Sequence, residues 1–213
     1  MHFLSDELDS YVTQHSENEP ELLALLNKET HQKILAPRML SGHFQGRLLS
    51  MLSKIIHPTT ILEVGTYTGY ATLCLAEGLA ENGTIDTLDN EEELFDFQRK
   101  YFDKTIWANQ ITQHLGDALN IIPTLTKKYD LVFIDADKEN YINYFHLIVP
   151  MMDKGGIIIS DNVLWSGKVL EEVKQGDSTT QILLEYNKLL KEDPRVETVL
   201  LPIRDGLTVS RVK

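Results

Sequence analysis

The stretch YDLVFIDADK, residues 129–138, decides the fold. Leu131, Val132, Phe133 and Ile134 form a short apolar run bounded by charge, which reads as a strand covered on both faces. Asp135, Asp137 and Lys138 follow at once. In an open α/β sheet, ligands sit just outside the carboxyl ends of the strands, so two carboxylates and an amine there stand where chemistry takes place. The same residues also fit a plain helix start, with Asp135 or Asp137 as cap and Lys138 solvated.

Outward from this strand the chain alternates. TILEV (60–64), TIDTL (84–88), ITQHL (111–115) and GIIIS (156–160) read as further strands. Helices are predicted over 70–79, 91–102, a short stretch before Pro123, 141–152 and about 180–191. VETVLLPI and GLTVSRV face each other across Arg204-Asp205-Gly206, the signature of a hairpin. Before about His57 the chain reads as helical. Leu22, Leu23, Leu25 and Leu26 form one cluster, and Leu48, Leu49, Met51, Leu52, Ile55 and Ile56 recur at helical spacing. Between them, 34–46 is punctuated by Pro37, Gly42 and Gly46 and reads as a loop. The expected architecture is α/β and Rossmann-like. Its seven-stranded sheet is mostly parallel, with right-handed crossovers, helices on both faces and a C-terminal antiparallel hairpin. One domain is expected over 1–213, with a helical cap (1–57) on an α/β core (58–213).

A formal net charge of −12 disfavours nonspecific binding to nucleic acid or to an anionic membrane. With Cys74 as the single cysteine, an intrachain disulfide and a cysteine zinc site are both excluded. The opening MHFLSDELDS carries acids where a leader peptide is basic and then apolar, and no apolar run reaches membrane-spanning length. The expected compartment is the cytoplasm.

EVGTYTGY, residues 63–70, follows the first core strand and opens a helix. A dinucleotide fingerprint requires G-x-G-x-x-G, but Tyr67 and Tyr70 stand where the second and third glycines belong. That disfavours a nicotinamide-dependent oxidoreductase. A small cation without phosphates, such as S-adenosylmethionine, makes no such demand, and Glu63 is expected to add negative charge beside it. Asp89 ends the next strand, where an acid can bind a ribose diol. Gly116-Asp117-Ala118 ends the third, where a small residue admits a flat base and Asp117 can accept from an exocyclic amine.

GIIIS runs into Asp161-Asn162. Adjacent strands would bring these residues beside Asp135 and Asp137, and carboxylates brought together call for a cation. All the donors are oxygens, which suits Mg²⁺, Ca²⁺ or Mn²⁺ rather than zinc or copper. The plain alternative is that Asp161-Asn162 forms a turn.

RMLSGHFQG, LEVGTYTGYAT, TLDNEEE, LGDA, FIDADKENY, SDNVLWSG and PIRDGLTVSR occur in this order. With them the chain resembles the class I, divalent-metal-dependent O-methyltransferases of the catechol and caffeoyl-coenzyme A type, in a bacterial form. The resemblance spans nearly the whole chain, and FIDADKENY with SDNVLWSG is its specific part. It implies methyl transfer from S-adenosylmethionine to a hydroxyl of a catechol-like or caffeoyl-type phenol. It implies Asp135, Asp161 and Asn162 as ligands of a divalent cation, Mg²⁺ first, and Lys138 as general base. It places the cofactor against Met39, Ser41, Glu63, Gly65, Thr66, Tyr70, Ala71, Asp89, Asp117, Ala118 and Asp135. It places the acceptor against Met39, Lys138, Trp165 and Asp205. A homodimer acting on a small molecule is implied. The chain departs from the plant enzymes at Gly42-His43-Phe44 and over 168–178, segments expected to border the acceptor pocket. Two alternatives stay open: methylation of a hydroxyuridine in transfer RNA, and a non-catalytic cofactor-binding protein. Asp137 is left as either an outer partner of the metal or a helix cap.

Overall fold

The computed structural model describes residues 5–213; residues 1–4, the head of the segment read as lacking a leader, lie outside the described residues. Seven strands form one sheet in the order β3-β2-β1-β4-β5-β7-β6. They are β1 (Thr60–Val64), β2 (Thr84–Asp89), β3 (Ile111–Leu115), β4 (Tyr129–Ile134), β5 (Met152–Asp161), β6 (Val196–Leu201) and β7 (Leu207–Val212). β7 is antiparallel to β5 and β6, and the other pairings are parallel. The expected mostly parallel sheet with its C-terminal hairpin is present.

Strand alternation sorts the interior into two cores. Leu62, Val64, Val132 and Ile134 face one side, onto Tyr141, Phe145 and Tyr186. Ile61, Leu131 and Phe133 face the other, onto Leu49, Leu73 and Phe102. A fully buried side chain of this size contributes about 1.5–3 kcal/mol, so β4, shared by both cores, is held firmly from each face. α7 (Tyr141–Ile148) and α8 (Ser178–Glu192) supply the first side. α4 (Tyr70–Ala76) and α5 (Glu92–Phe102) supply the second, together with α2 (Glu21–Lys33) and α3 (Gly42–Ile56). α3 crosses α4 so closely that a Cβ on Gly46 would lie 2.6 Å from the Tyr70 ring. α6 (Ala118–Ile121) is a single turn after β3.

The structure corrects the sequence reading at several boundaries. A first helix, α1 (Asp6–Gln14), begins at Ser5, whose hydroxyl accepts from the Leu8 N–H at 3.3 Å. The stretch read as a loop over 34–46 is shorter. Pro37–Met39 forms one 3₁₀ turn, and α3 starts at Gly42. α7 stops at Ile148, before Pro150, which has no N–H to continue the helix. Met152, assigned to that helix, instead opens β5 and pairs with Tyr129. Among the described residues, no helix is long and apolar enough to cross a membrane.

Candidate active site

The register aligns the strand ends. Val64 lies beside Ile134, and Ile134 beside Ser160, so the residues following each strand emerge together. Gly65 follows β1 with φ +100°, and a Cβ there would lie 2.0 Å from the Asp135 carbonyl oxygen. Only glycine permits this approach of the β1 and β4 ends. Thr66, Tyr67, Thr68, Tyr70 and Ala71 continue from it, and with Met39, Ser41, Gly65, Phe133 and Asp135 they wall a single cleft. Thus Met39, Ser41, Gly65, Thr66, Tyr70, Ala71 and Asp135, drawn from three distant segments, meet in one place. The Tyr70 hydroxyl turns away, donating to Glu19 Oε1 at 2.5 Å. Thr68 is fully buried in the cleft wall, and its Oγ1 has no partner among the described residues.

Asp89 holds the loop from behind. Its Oδ2 accepts from the Tyr67 N–H at 2.6 Å and its Oδ1 from the Glu91 N–H at 2.9 Å. Burial pushes its carboxyl upward. Asp117 and Ala118 begin α6 at the neighbouring strand end. There Asp117 accepts from the Leu119 N–H at 2.8 Å and from Asn120 Nδ2 at 3.1 Å, a helix cap. Neither Asp89 nor the Asp117-Ala118 pair is a wall of the cleft.

Glu63, set against the cofactor by the sequence reading, is not one of the cleft walls. It is wholly buried beneath the loop, where its Oε2 accepts from Thr72 and, at 2.5 Å, from Thr87. Burial raises its pKa to about 8, with Thr72 and Thr87 opposing the shift. That shift works against the full negative charge that its sequence position suggested.

At the cleft edge, Lys138 Nζ donates to Asp135 Oδ1 at 2.9 Å and to the Tyr141 hydroxyl at 2.7 Å. Tyr141 is fully buried and donates to the Asp161 carbonyl oxygen at 2.9 Å, which ties the ends of β4 and β5 to the lysine. Burial and nearby carboxylates raise its pKa well above the ordinary value, so the phenol keeps its proton. Asp161, at the end of β5, accepts from Gln45 Nε2 at 2.6 Å and from the Asn162 N–H at 2.7 Å. Burial, and then repulsion from Asp135, raises Asp161 to about 6. Asn162 follows in the left-handed conformation, φ +59°, which asparagine tolerates better than most residues.

The donor set offered here is two carboxylates and an amide. Among the described residues, no group of three or more histidine, cysteine or acidic side chains converges. A set of oxygens with two mutually repelling carboxylates suits a hard divalent cation, which would relieve the repulsion that lifts Asp161.

The Asp137 oxygens accept from Tyr144 and Asn140, each at 2.5 Å, and its side chain makes no helix-cap hydrogen bond. Trp165 packs on the core beside the Asn162 turn, with its indole nitrogen buried and without a partner among the described residues. Asp205 accepts from the Ser166 N–H and so holds the segment after Trp165. Tyr141, Gln45 and Arg204 were given no role by the sequence reading, whereas Tyr67 and Thr68 lie in the loop it had set against the cofactor. Tyr141, three residues after Lys138, is the one with a local signal.

The O-methyltransferase family model matches residues 13–213. Caffeoyl-CoA O-methyltransferase 2 of Eucalyptus globulus is 35% identical over 220 residues, covering 97% of this chain and 89% of that protein. The SAH-bound methyltransferase of Podospora anserina superimposes with a TM-score of 0.89 at 28% identity, covering 98% of this chain and 94% of that one. The Bacillus cereus O-methyltransferase in complex with SAH has the same score and identity, covering 97% of each chain. The chain belongs to the O-methyltransferase family.

Proposed function

We propose that this protein transfers the methyl group of S-adenosylmethionine to a hydroxyl of a catechol-like or caffeoyl-type phenol, with a divalent cation at Asp135, Asp161 and Asn162. The supporting observation is convergence: Asp135 walls the cleft, Lys138 is bonded to it, and Asp161 sits across the β4–β5 pair. The names of the plant relatives and the SAH-bound structures support the acceptor and the cofactor.

Met39, Ser41 and the loop from Gly65 to Ala71, which wall one cleft, would hold the cofactor. Asp135 would pair with its ammonium group. Asp135, Asp161 and Asn162 would hold a divalent cation, Mg²⁺ in the first instance, whose charge would favour the phenolate of the acceptor. Lys138 Nζ, as the neutral amine, would take the proton from the acceptor hydroxyl and become the ammonium that donates to Asp135. Tyr141, anchored to the Asp161 carbonyl, fixes where that amine stands. The oxygen then bonds to the methyl carbon as the sulfur–carbon bond breaks, and the electron pair returns to sulfur, leaving a neutral thioether. The largest contribution is alignment of oxygen, methyl and sulfur by a rigid cleft. Trp165 supplies an apolar wall for the ring.

A methyl-transfer screen over catechols, caffeoyl esters, flavonoids and transfer RNA, with and without Mg²⁺, tests the reading. Transfer confined to phenols bearing adjacent hydroxyls, and requiring the ion, supports it.

A further inference from the structure

We infer that Arg204 is a positioning residue that holds the loop covering the cofactor cleft and, through Gln45, orients Asp161. Arg204 sits at the tip of the β6–β7 hairpin, with φ +49°. This is a left-handed conformation that glycine adopts freely and arginine does not. The guanidinium lies against a segment some 160 residues away in sequence. Its Nη1 donates to the Ser41 carbonyl oxygen, to Gln45 Oε1 at 3.2 Å and to the Leu40 carbonyl oxygen at 3.4 Å. Ser41 walls the cleft, as does Met39, two residues earlier. The far end of the same loop is tied by the Tyr67 hydroxyl, which donates to the Leu35 carbonyl oxygen at 3.0 Å. Gln45 is itself buried, and its amide spans the gap: the oxygen accepts from Arg204 and the nitrogen donates to Asp161 Oδ2 at 2.6 Å. A planar guanidinium can hold several acceptors in fixed geometry, whereas a lysine supplies only a point charge.

This inference rests on the proposed cofactor and metal, but part of its test does not. Arg38 is exposed in the same loop, so tryptic cleavage after it in the ligand-free protein reads whether the loop is held. Arg204→Ala should speed that cleavage, and weaken S-adenosylhomocysteine binding, each by about tenfold, as expected for losing hydrogen bonds from a charged donor. Arg204→Lys should fall between the two, and it carries the same test should the alanine variant fail to fold. Gln45→Leu should leave the cleavage rate as in the wild type and weaken Mn²⁺ binding, read by electron paramagnetic resonance. Wild-type cleavage and wild-type S-adenosylhomocysteine affinity in Arg204→Ala would overturn the role of Arg204. Unchanged Mn²⁺ affinity in Gln45→Leu would overturn the relay to Asp161. Absence of S-adenosylhomocysteine binding by the wild type would count against the cofactor reading, while the cleavage rate would still decide whether Arg204 holds the loop.

Discussion

Lys138 places its Nζ 2.9 Å from Asp135 Oδ1, so the amine proposed as base and a carboxylate proposed as metal ligand are in direct contact. The pair is only partly exposed, and Tyr141 sets the position of the amine from the other side. Lys138→Met should lower kcat by roughly 10²–10⁴-fold, the usual contribution of a positioned acid–base group. S-adenosylhomocysteine should still bind, because the proposed role of Lys138 is on the acceptor hydroxyl rather than on the cofactor. An unchanged kcat in steady-state assays would remove Lys138 as the base.

Asp161 is ionised at some cost, its pKa standing near 6 through burial and the nearby Asp135. Asp161→Asn removes that charge while keeping an acceptor for Gln45. The metal-free variant should therefore melt at a higher temperature than the metal-free wild type. Its Mn²⁺ affinity should fall by more than the roughly 10–100-fold that loss of an outer partner costs a metal site. Calorimetry and Mn²⁺ titration check the two halves, and undiminished Mn²⁺ binding would sink the ligand assignment.

Glu63 makes stability fall as pH rises. Its folded pKa is about 8 against an ordinary 4.5. Between those values the folded protein keeps a proton that the unfolded chain has released, so raising the pH favours unfolding. One pKa unit is worth about 1.4 kcal/mol, so the slope should be large enough to measure. Glu63→Gln stays neutral throughout. Urea unfolding at pH 5.5 and 8.5 should show the wild type losing stability relative to this variant. Parallel behaviour of the two proteins would mean that Glu63 is ionised in the fold.

Asp89 braces the loop, and mutation separates that task from the ribose contact proposed for it. Its carboxylate already holds the Tyr67 and Glu91 N–H groups. Asp89→Ala should therefore cost about 1–2 kcal/mol of stability, in the range of a lost cap. It should also weaken S-adenosylhomocysteine binding about tenfold if it bonds the ribose as well, one such bond being worth roughly 1.5 kcal/mol. Calorimetric titration reads the second effect. Lost stability with unaltered affinity would leave Asp89 as the brace of the loop alone.

Apart from Met39 and Ser41, which the resemblance supplied, the parts of the site that were legible in the sequence follow strand ends. A buried apolar run followed by charge gave Asp135, Lys138 and Asp161, because sheet topology alone carries such residues to one edge. The glycine loop was legible because Gly65 meets the backbone of Asp135, a constraint that side-chain chemistry cannot replace. Gln45 and Arg204 left no such trace. Each acts on residues more than a hundred positions away, and only the packing of α3 against the hairpin brings them together. Glu63 shows the other limit. Its position was read correctly, but its charge state depends on complete burial beneath the loop, which no local pattern states. Two boundaries moved for opposite reasons: α3 runs from Gly42 through Gly46 despite both glycines, while Pro150 ends α7 early and leaves Met152 to open β5.

The central claim is metal-assisted methyl transfer to a phenol. Its most direct test is transfer of a labelled methyl group from S-adenosylmethionine to catechol or a caffeoyl ester, measured with Mg²⁺ and again after chelation. The account predicts a methyl ether at one of two adjacent hydroxyls with the ion present, and little product after chelation. Equal rates in chelator, or no transfer to any vicinal diphenol with the ion present, would contradict it.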